Sequence, residues 1–265
     1  MTLLELKKRF SFRLSAPSYI FPADYAANAA ALAPFLDEIE LLFFESACDS
    51  LPSLREIEKL RKLQDAMDIR YNIHLPLDID LCAKQPSQQR KAVQAIDAIF
   101  NRVHQLDVTT YTLHLPFKKN DTASSAQIQR WQDQAGMGLA KLMEQLKFTP
   151  RQISVETLDY PPEWFAPLVT AFDLSVCVDV GHVIRYGFEL SSVFKHFGSR
   201  ITILHLHGVR NGKDHLALSC LEADHLEIIK NHLVDFTQSV SLEVFSLPRL
   251  KESMQTLATL MHHIN

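Results

Sequence analysis

Eight times along this chain a short apolar, β-branched run gives way to a longer stretch whose apolar residues recur with a helical period. That alternation limits the available folds more than any other feature. Strands are predicted over 10–15, 38–45, 69–75, 109–115, 153–158, 174–180, 201–207 and 239–245. Helices are predicted over 25–36, 52–67, 87–106, 124–146, 162–171, 190–197, 222–236 and 248–263, with Asp24 placed to cap the first. Ser53 and Glu56 have capping-box spacing at the start of the second. A helix after every strand returns the chain to the same end of the sheet, so the strands run parallel. The expected class is α/β, a single (β/α)8 TIM barrel over residues 1–265, with 1–9 as an N-terminal extension. An open doubly wound sheet would need a Gly-rich first turn, and the whole chain has 7 glycines.

Composition removes several function classes. A net charge of −4 leaves no electrostatic footprint for nucleic acid. No apolar run approaches the roughly 20 residues of a membrane span. The opening MTLLELKKRF puts its basic residues after a very short apolar run, the reverse of a secretion signal. Cys48, Cys82, Cys177 and Cys220 form no CxxC pair and read as reduced thiols, which gives a cytoplasmic expectation.

In such barrels the active site is built where the strands end. Glu45, His74, His114, Glu156, Asp179, His205 with His207, and Glu243 stand there in this chain. Two residues earlier on the same face come Asn72, Thr112, Ser154, Cys177 and Ser241, with Ile203 the apolar exception. Residues of the other face, such as Ile73, Leu113, Val178 and Leu242, are apolar and suit packing on helices. A single His or Glu here reads as a hydrogen-bonded rim residue, but the set does not. Carboxylates crowded at one mouth repel, and a bound divalent cation compensates them. Mixed carboxylate and imidazole donors suit Zn, Mn or Fe, and no thiolate site is indicated. Glu156, Asp179, His205 and Glu243 form the expected core site. His74, His114, His182, His207 and His215 are the donors for further ions. Glu45, Glu156, Glu243 and His182 are the catalytic candidates, with Glu45 either a ligand or a general base. His104, His196, His225, His232, His262 and His263 fall on helices and are assigned nothing.

Glu156, DVGH at 179–182, HLHG at 205–208, the Asp214–His215 pair and Glu243 resemble the xylose-isomerase-like barrel superfamily. That superfamily holds sugar isomerases and epimerases and the endonuclease IV group. The resemblance implies one metal on Glu, Asp, His and Glu from strands 5 to 8. His74 and His114 resemble the extra histidines with which the endonuclease IV group reaches three metals. One departure bears on the third metal: Asp214 and His215 are adjacent where that group usually has a residue between them; in addition, HLHG stands where relatives often carry Asp or Asn.

SYIFPAD (18–24), EIELLFFE (38–45), NIHLPLDIDL (72–81), TLHLP (112–116), CVDVGH (177–182), HLHGVRNGKDHLAL (205–218) and LEVF (242–245) together are similar to the cobamide-remodelling phosphodiesterases of the CbiR type. This resemblance implies a metal-dependent hydrolase acting on the phosphodiester in the nucleotide loop of a B12-type corrinoid. The bond expected to break joins phosphate to the ribosyl group. It makes Tyr19, Arg185, Arg210 and Lys213, with Lys118, candidates for holding that substrate, and Phe21, Phe117, Tyr186 and Phe188 candidates for an apolar wall. The alternative is a metal-dependent sugar or inosose isomerase or epimerase, with Glu156 and Glu243 as the acid–base pair. The expected partner is a small molecule, with no nucleic acid and no membrane; the oligomeric state stays open.

Overall fold

The computed structural model describes residues 3–118, 123–145 and 149–262. Leu146 and His263, where helix ends are predicted, and the first two residues of the N-terminal extension lie outside them. Eight parallel strands close a barrel: β1 (Arg13–Pro17), β2 (Glu38–Leu42), β3 (Arg70–His74), β4 (Val108–Leu113), β5 (Ile153–Glu156), β6 (Ser175–Asp179), β7 (Ile201–Leu206) and β10 (Ser239–Leu242). Strand β10 closes the ring by pairing with both β7 and β1.

Helices α1 (Tyr25–Leu32), α2 (Leu54–Met67), α3 (Pro86–Val103), α4 (Ser125–Gln145), α5 (Ala166–Ala171), α7 (Leu190–Phe197), α8 (Ala223–Leu233) and α9 (Leu247–Met261) stand around the ring. The predicted caps form. Asp24 accepts the Ala27 N–H at 2.7 Å, and Ser53 and Glu56 bond reciprocally. Residues facing the helices, among them Ile39, Leu41, Phe43, Ile73, Val155, Val178, Leu204 and Val240, are fully buried and make one apolar layer. Among the described residues, no helix is long and apolar enough to cross a membrane. All four cysteines are free.

The barrel interior is polar rather than aliphatic. Ser15, Glu40, Asn72, Thr112, Ser154 and Ser241 are all fully buried. They satisfy one another in part: Asn72 Nδ2 donates to Ser15 Oγ at 3.1 Å, and Ser241 Oγ donates to Glu40. Such a network costs stability wherever a member lacks a partner.

Three features differ from expectation. The first strand lies three residues later than predicted at its start, because Phe10 and Phe12 stack on each other (4.8 Å between centroids) below the barrel. Asp179 ends β6 and immediately caps a short helix, α6 (Val180–Arg185), accepting the His182 N–H at 2.7 Å. Beyond β7, where no element is predicted, the chain forms a hairpin, with β8 (Gly208–Arg210) and β9 (Lys213–Leu216) antiparallel. Asn211 and Gly212 form its turn with φ of 53° and 73°, the left-handed geometry that Asn-Gly favours.

The N-terminal extension packs on the bottom of the barrel. Lys7 Nζ reaches the Ala33 and Met67 carbonyls just past α1 and at the end of α2, where the helix dipoles favour a cation.

Candidate metal centre

Parallel strands with the pleat in register bring a ring of ionisable side chains to one mouth. Glu156 stands at its middle. His114 Nε2 lies 2.8 Å and His74 Nε2 3.2 Å from its Oε2, while His182 Nδ1 lies 3.4 Å from its Oε1. Asp179 meets His182 Nδ1 at 3.2 Å and His207 Nε2 at 3.0 Å. His205 Nδ1 lies 3.4 Å from Glu243 Oε2 and 3.9 Å from Glu156 Oε1. The expected core quartet therefore overlaps around Glu156, and His74, His114, His182, His207 and His215 adjoin it.

Electrostatics follow from burial and pairing. Burial alone would raise the Glu156 and Asp179 carboxyls, but the imidazoles beside them outweigh it and hold both well below the usual range. Burial likewise opposes charge on His182, yet Asp179 and Glu156 raise its pKa to about 10. His74 and His207 are also raised, against burial, by the carboxylates they face, and His205 by Cys177 first and then by Glu40 and Glu243.

Ring tautomers are set from behind. His74 Nδ1–H donates to the Leu75 carbonyl at 2.9 Å, leaving Nε2 toward Glu156. His215 Nδ1–H donates to the Glu243 carbonyl at 3.1 Å, which leaves its Nε2 free to bind. His207 is more committed: Nδ1 accepts the His215 N–H at 3.0 Å and Nε2 faces Asp179. Its place is thus beside Asp179, holding the carboxylate and the hairpin at once.

These residues fit a divalent cation. His205 Nδ1 and Glu243 Oε2 are buried and lack any hydrogen-bond partner, although both point into the cluster. Donor atoms of His74, His114 and Glu156, of Glu156, Asp179 and His182, and of His182, His207 and His215 each lie within 4.8 Å of one another. Oxygen and nitrogen donors in such groups suit zinc, manganese or iron.

Several predicted residues lie elsewhere. Glu45 is exposed beyond the strand and accepts the Ser50 hydroxyl at 3.1 Å, so its expected inward placement is corrected. Strand β2 has the opposite pleat parity: Ile39, Leu41 and Phe43 pack outward, and Glu38 and Glu40 point in. Asp214 pairs with Arg185, and its neighbour His215 takes a left-handed backbone (φ 49°) within β9. Arg210 and Lys213 face solvent at the hairpin tip, and Lys118 pairs with Asp80 at 3.2 Å. Phe21, Phe117 and Phe188 pack on the core. Tyr186 stays exposed at the rim beside Arg185.

The sequence reading missed Glu40 and two aromatics. Tyr19 lies edge-on to Phe44 at 4.9 Å and to Phe245 at 6.5 Å, and Phe245 reaches His215 at 4.8 Å. Tyr19 and Phe44 are 54% and 41% exposed, so an open aromatic shelf leads to the metal donors. The FF pair at 43–44 was the available signal, because alternation sends only one of two neighbours into the helix layer.

A family model described as a xylose isomerase-like TIM barrel matches residues 27–259. No curated protein sequence matches the chain. Among solved structures, a D-tagatose 3-epimerase-like protein superposes with a TM-score of 0.78 at 17% identity, covering 96% of this chain and 98% of its own. Endonuclease IV from Thermus thermophilus gives 0.65 at 20% identity, over 95% of this chain and 98% of its own. The IOLI protein solved with a bound zinc atom gives 0.69 at 12% identity, over 95% and 99%. At these identities the likeness is one of fold.

Proposed function

The chain belongs to the xylose isomerase-like TIM barrel family, and from that premise we propose that it is a metal-dependent hydrolase cleaving the phosphodiester in the nucleotide loop of a B12-type corrinoid. The observation that carries the hydrolytic reading is the convergence of His74 and His114 on Glu156, at 3.2 and 2.8 Å. A barrel that needs one cation for proton shuttling has no use for a second nitrogen-rich donor group on the same carboxylate. Phosphodiester displacement does, since charge develops on both the entering and the departing oxygen. The corrinoid rests on the motif resemblance, and the shelf of Tyr19, Phe44 and Phe245 supports a substrate with a large apolar face.

His74, His114, His182 and Glu156, with Asp179, His205 and Glu243, would hold the cations. Bound there, they supply Lewis acidity and a water acidic enough to attack at neutral pH. Buried Glu156 and Asp179 stay ionised, so these two carboxylates need no deprotonation before binding. Arg185 is fixed by Asp214 beside the mouth, where its guanidinium is placed to meet a phosphate. The aromatic shelf orients the substrate and keeps bulk water from one side of the scissile bond. Hydrolysis adds water across the phosphate–ribosyl bond and leaves a phosphorylated cobinamide and an α-riboside.

A second reading, a sugar or inosose epimerase, is favoured by the overlap with the D-tagatose 3-epimerase-like structure. Glu156 and Glu243 flank His205 Nδ1 as an acid–base pair would flank a shared cation. Likeness of fold backs this reading more strongly than the first, and the His74–His114 pair backs the first. The deciding experiment incubates purified protein with adenosylcobalamin, with and without chelator, and weighs the corrinoid product. Cobinamide phosphate that vanishes with chelator is expected. No corrinoid product, together with interconversion of free ketoses, would replace the hydrolase by the epimerase.

A further inference from the structure

Glu40 is a fully buried carboxylate with no part in the sequence-derived site. It leaves β2 one layer below the mouth, where its neighbours in register are Pro17 on β1 and Asn72 on β3. One oxygen accepts the Ser241 hydroxyl. The other, Oε1, lies 3.2 Å from His205 Nε2. That contact does not meet hydrogen-bond geometry, and both atoms are buried with no hydrogen-bond partner. Buried polar atoms are normally paired, and at 3.2 Å each lies within reach of the other.

An imidazole has two nitrogens and can give only one to a cation. His205 Nδ1 faces Glu243 and Glu156, and Nε2 faces down toward Glu40. Ser241 is the register partner of His205 across β10 and β7, so the residue that fixes the Glu40 carboxylate sits directly beside the histidine. We infer that Glu40 is a positioning residue: it accepts His205 Nε2–H from beneath, fixes the ring and its tautomer, and so presents Nδ1 to a cation shared with Glu243 and Glu156. A carboxylate behind a metal-binding histidine also makes the ring a stronger donor. The inference rests on the metal reading of the mouth, and it is independent of whether the substrate is a phosphodiester or a sugar.

The competing role is direct ligation, because oxygens of Glu40 and Glu243 and a nitrogen of His205 lie within 4.8 Å of one another. Zinc titration of the chelator-stripped protein against a competing chelator separates the two. Glu40→Leu removes the acceptor and Glu40→Gln keeps a carbonyl oxygen. Glu40→Leu is expected to weaken zinc binding by roughly 10–100-fold, and Glu40→Gln by less, as for other residues behind metal-binding histidines. Both variants should still bind as many zinc equivalents as the unaltered chain at saturation. Unaltered affinity in Glu40→Leu would overturn the inference, and so would loss of a whole equivalent in both variants, which would make Glu40 a ligand. Should Glu40→Leu not fold, 15N-imidazole NMR of the unaltered zinc protein reads the same point. His205 protonated at Nε2 is expected; protonation at Nδ1 refutes it. None of these readouts involves turnover, so a failed corrinoid assay would leave them standing.

Discussion

Gly181 lies flat against the imidazole of His207, so close that a Cβ on it would stand 1.9 Å from Cε1 and 2.4 Å from either ring nitrogen. The glycine of DVGH is thus required by a neighbour just beyond β7, not by its own backbone angle. His207 cannot retreat, because it is fully buried between Asp179 and the His215 N–H. Gly181→Ala should destabilise the protein by about 1–3 kcal/mol, as overpacking of a closed site does. Urea unfolding of Gly181→Ala, His207→Ala and the double variant checks the cause. Additive losses would disprove it, since residues in contact couple.

Glu156 belongs to three of the donor groups at the mouth, with His74 and His114, with Asp179 and His182, and with Cys177 and His205. Glu156→Gln should therefore lower bound metal on both sides of the cluster, whereas Glu243→Ala should affect the His205 side alone. Either variant, and Asp179→Ala, should abolish turnover. Elemental analysis after dialysis against zinc reads the first pair. Equal metal loss in both would show that Glu156 does not bridge.

Protons and cations compete for His182. Its pKa is raised to about 10 by Asp179 and Glu156 despite burial, against an unperturbed value near 6.5. In the metal-free protein the stabilising contribution of this imidazolium is complete below about pH 6.5 and is lost as pH rises through about 10. A cation must displace the proton, so zinc binding at pH 8 should release protons and tighten as pH rises. Zinc added in weak buffer measures the release, and His182→Ala should reduce it. Equal release from variant and parent would remove His182 from the donors.

Asp214 stands next to His215 in sequence but pairs with Arg185 in space. Asp214→Ala should leave zinc affinity unchanged while freeing the Arg185 side chain, and His215→Ala should lower affinity. Zinc titration of the two variants decides, and the reverse order would place Asp214 among the ligands.

The strand–helix alternation made the barrel legible, because periods of two and of about 3.6 residues are written in the apolar positions themselves. Strand ends carrying one ionisable residue on an otherwise apolar segment made most of the mouth legible too. Glu45 failed because EIELLFFE is acidic at both ends, and only packing of Ile39, Leu41 and Phe43 on the helices decides which carboxylates turn inward. The hairpin after β7 had its signal in Asn211–Gly212. The pairing of Asp214 with Arg185 had none, since the two lie 29 residues apart and meet only once α6 and the hairpin fold together.

The aromatic shelf offers a way to tell the two substrates apart without touching a metal donor. Tyr19 is anchored edge-on by Phe44 and Phe245, yet more than half of its surface faces the open mouth. Aromatic contacts of this kind contribute about 0.5–1.5 kcal/mol each beyond their area. Tyr19→Ser should therefore raise KM for a corrinoid by about threefold to tenfold, with kcat nearly unchanged, since uniform binding is lost and not transition-state stabilisation. Bound zinc should be unaffected, because the ring contacts of Tyr19 are with Phe44 and Phe245. Phe245 stands between Tyr19 and His215, so a sugar held at the donors should show a smaller change in KM than a corrinoid. An unaltered corrinoid KM would remove the shelf from the binding site, and a fall in zinc content would mean that it supports the metal centre instead.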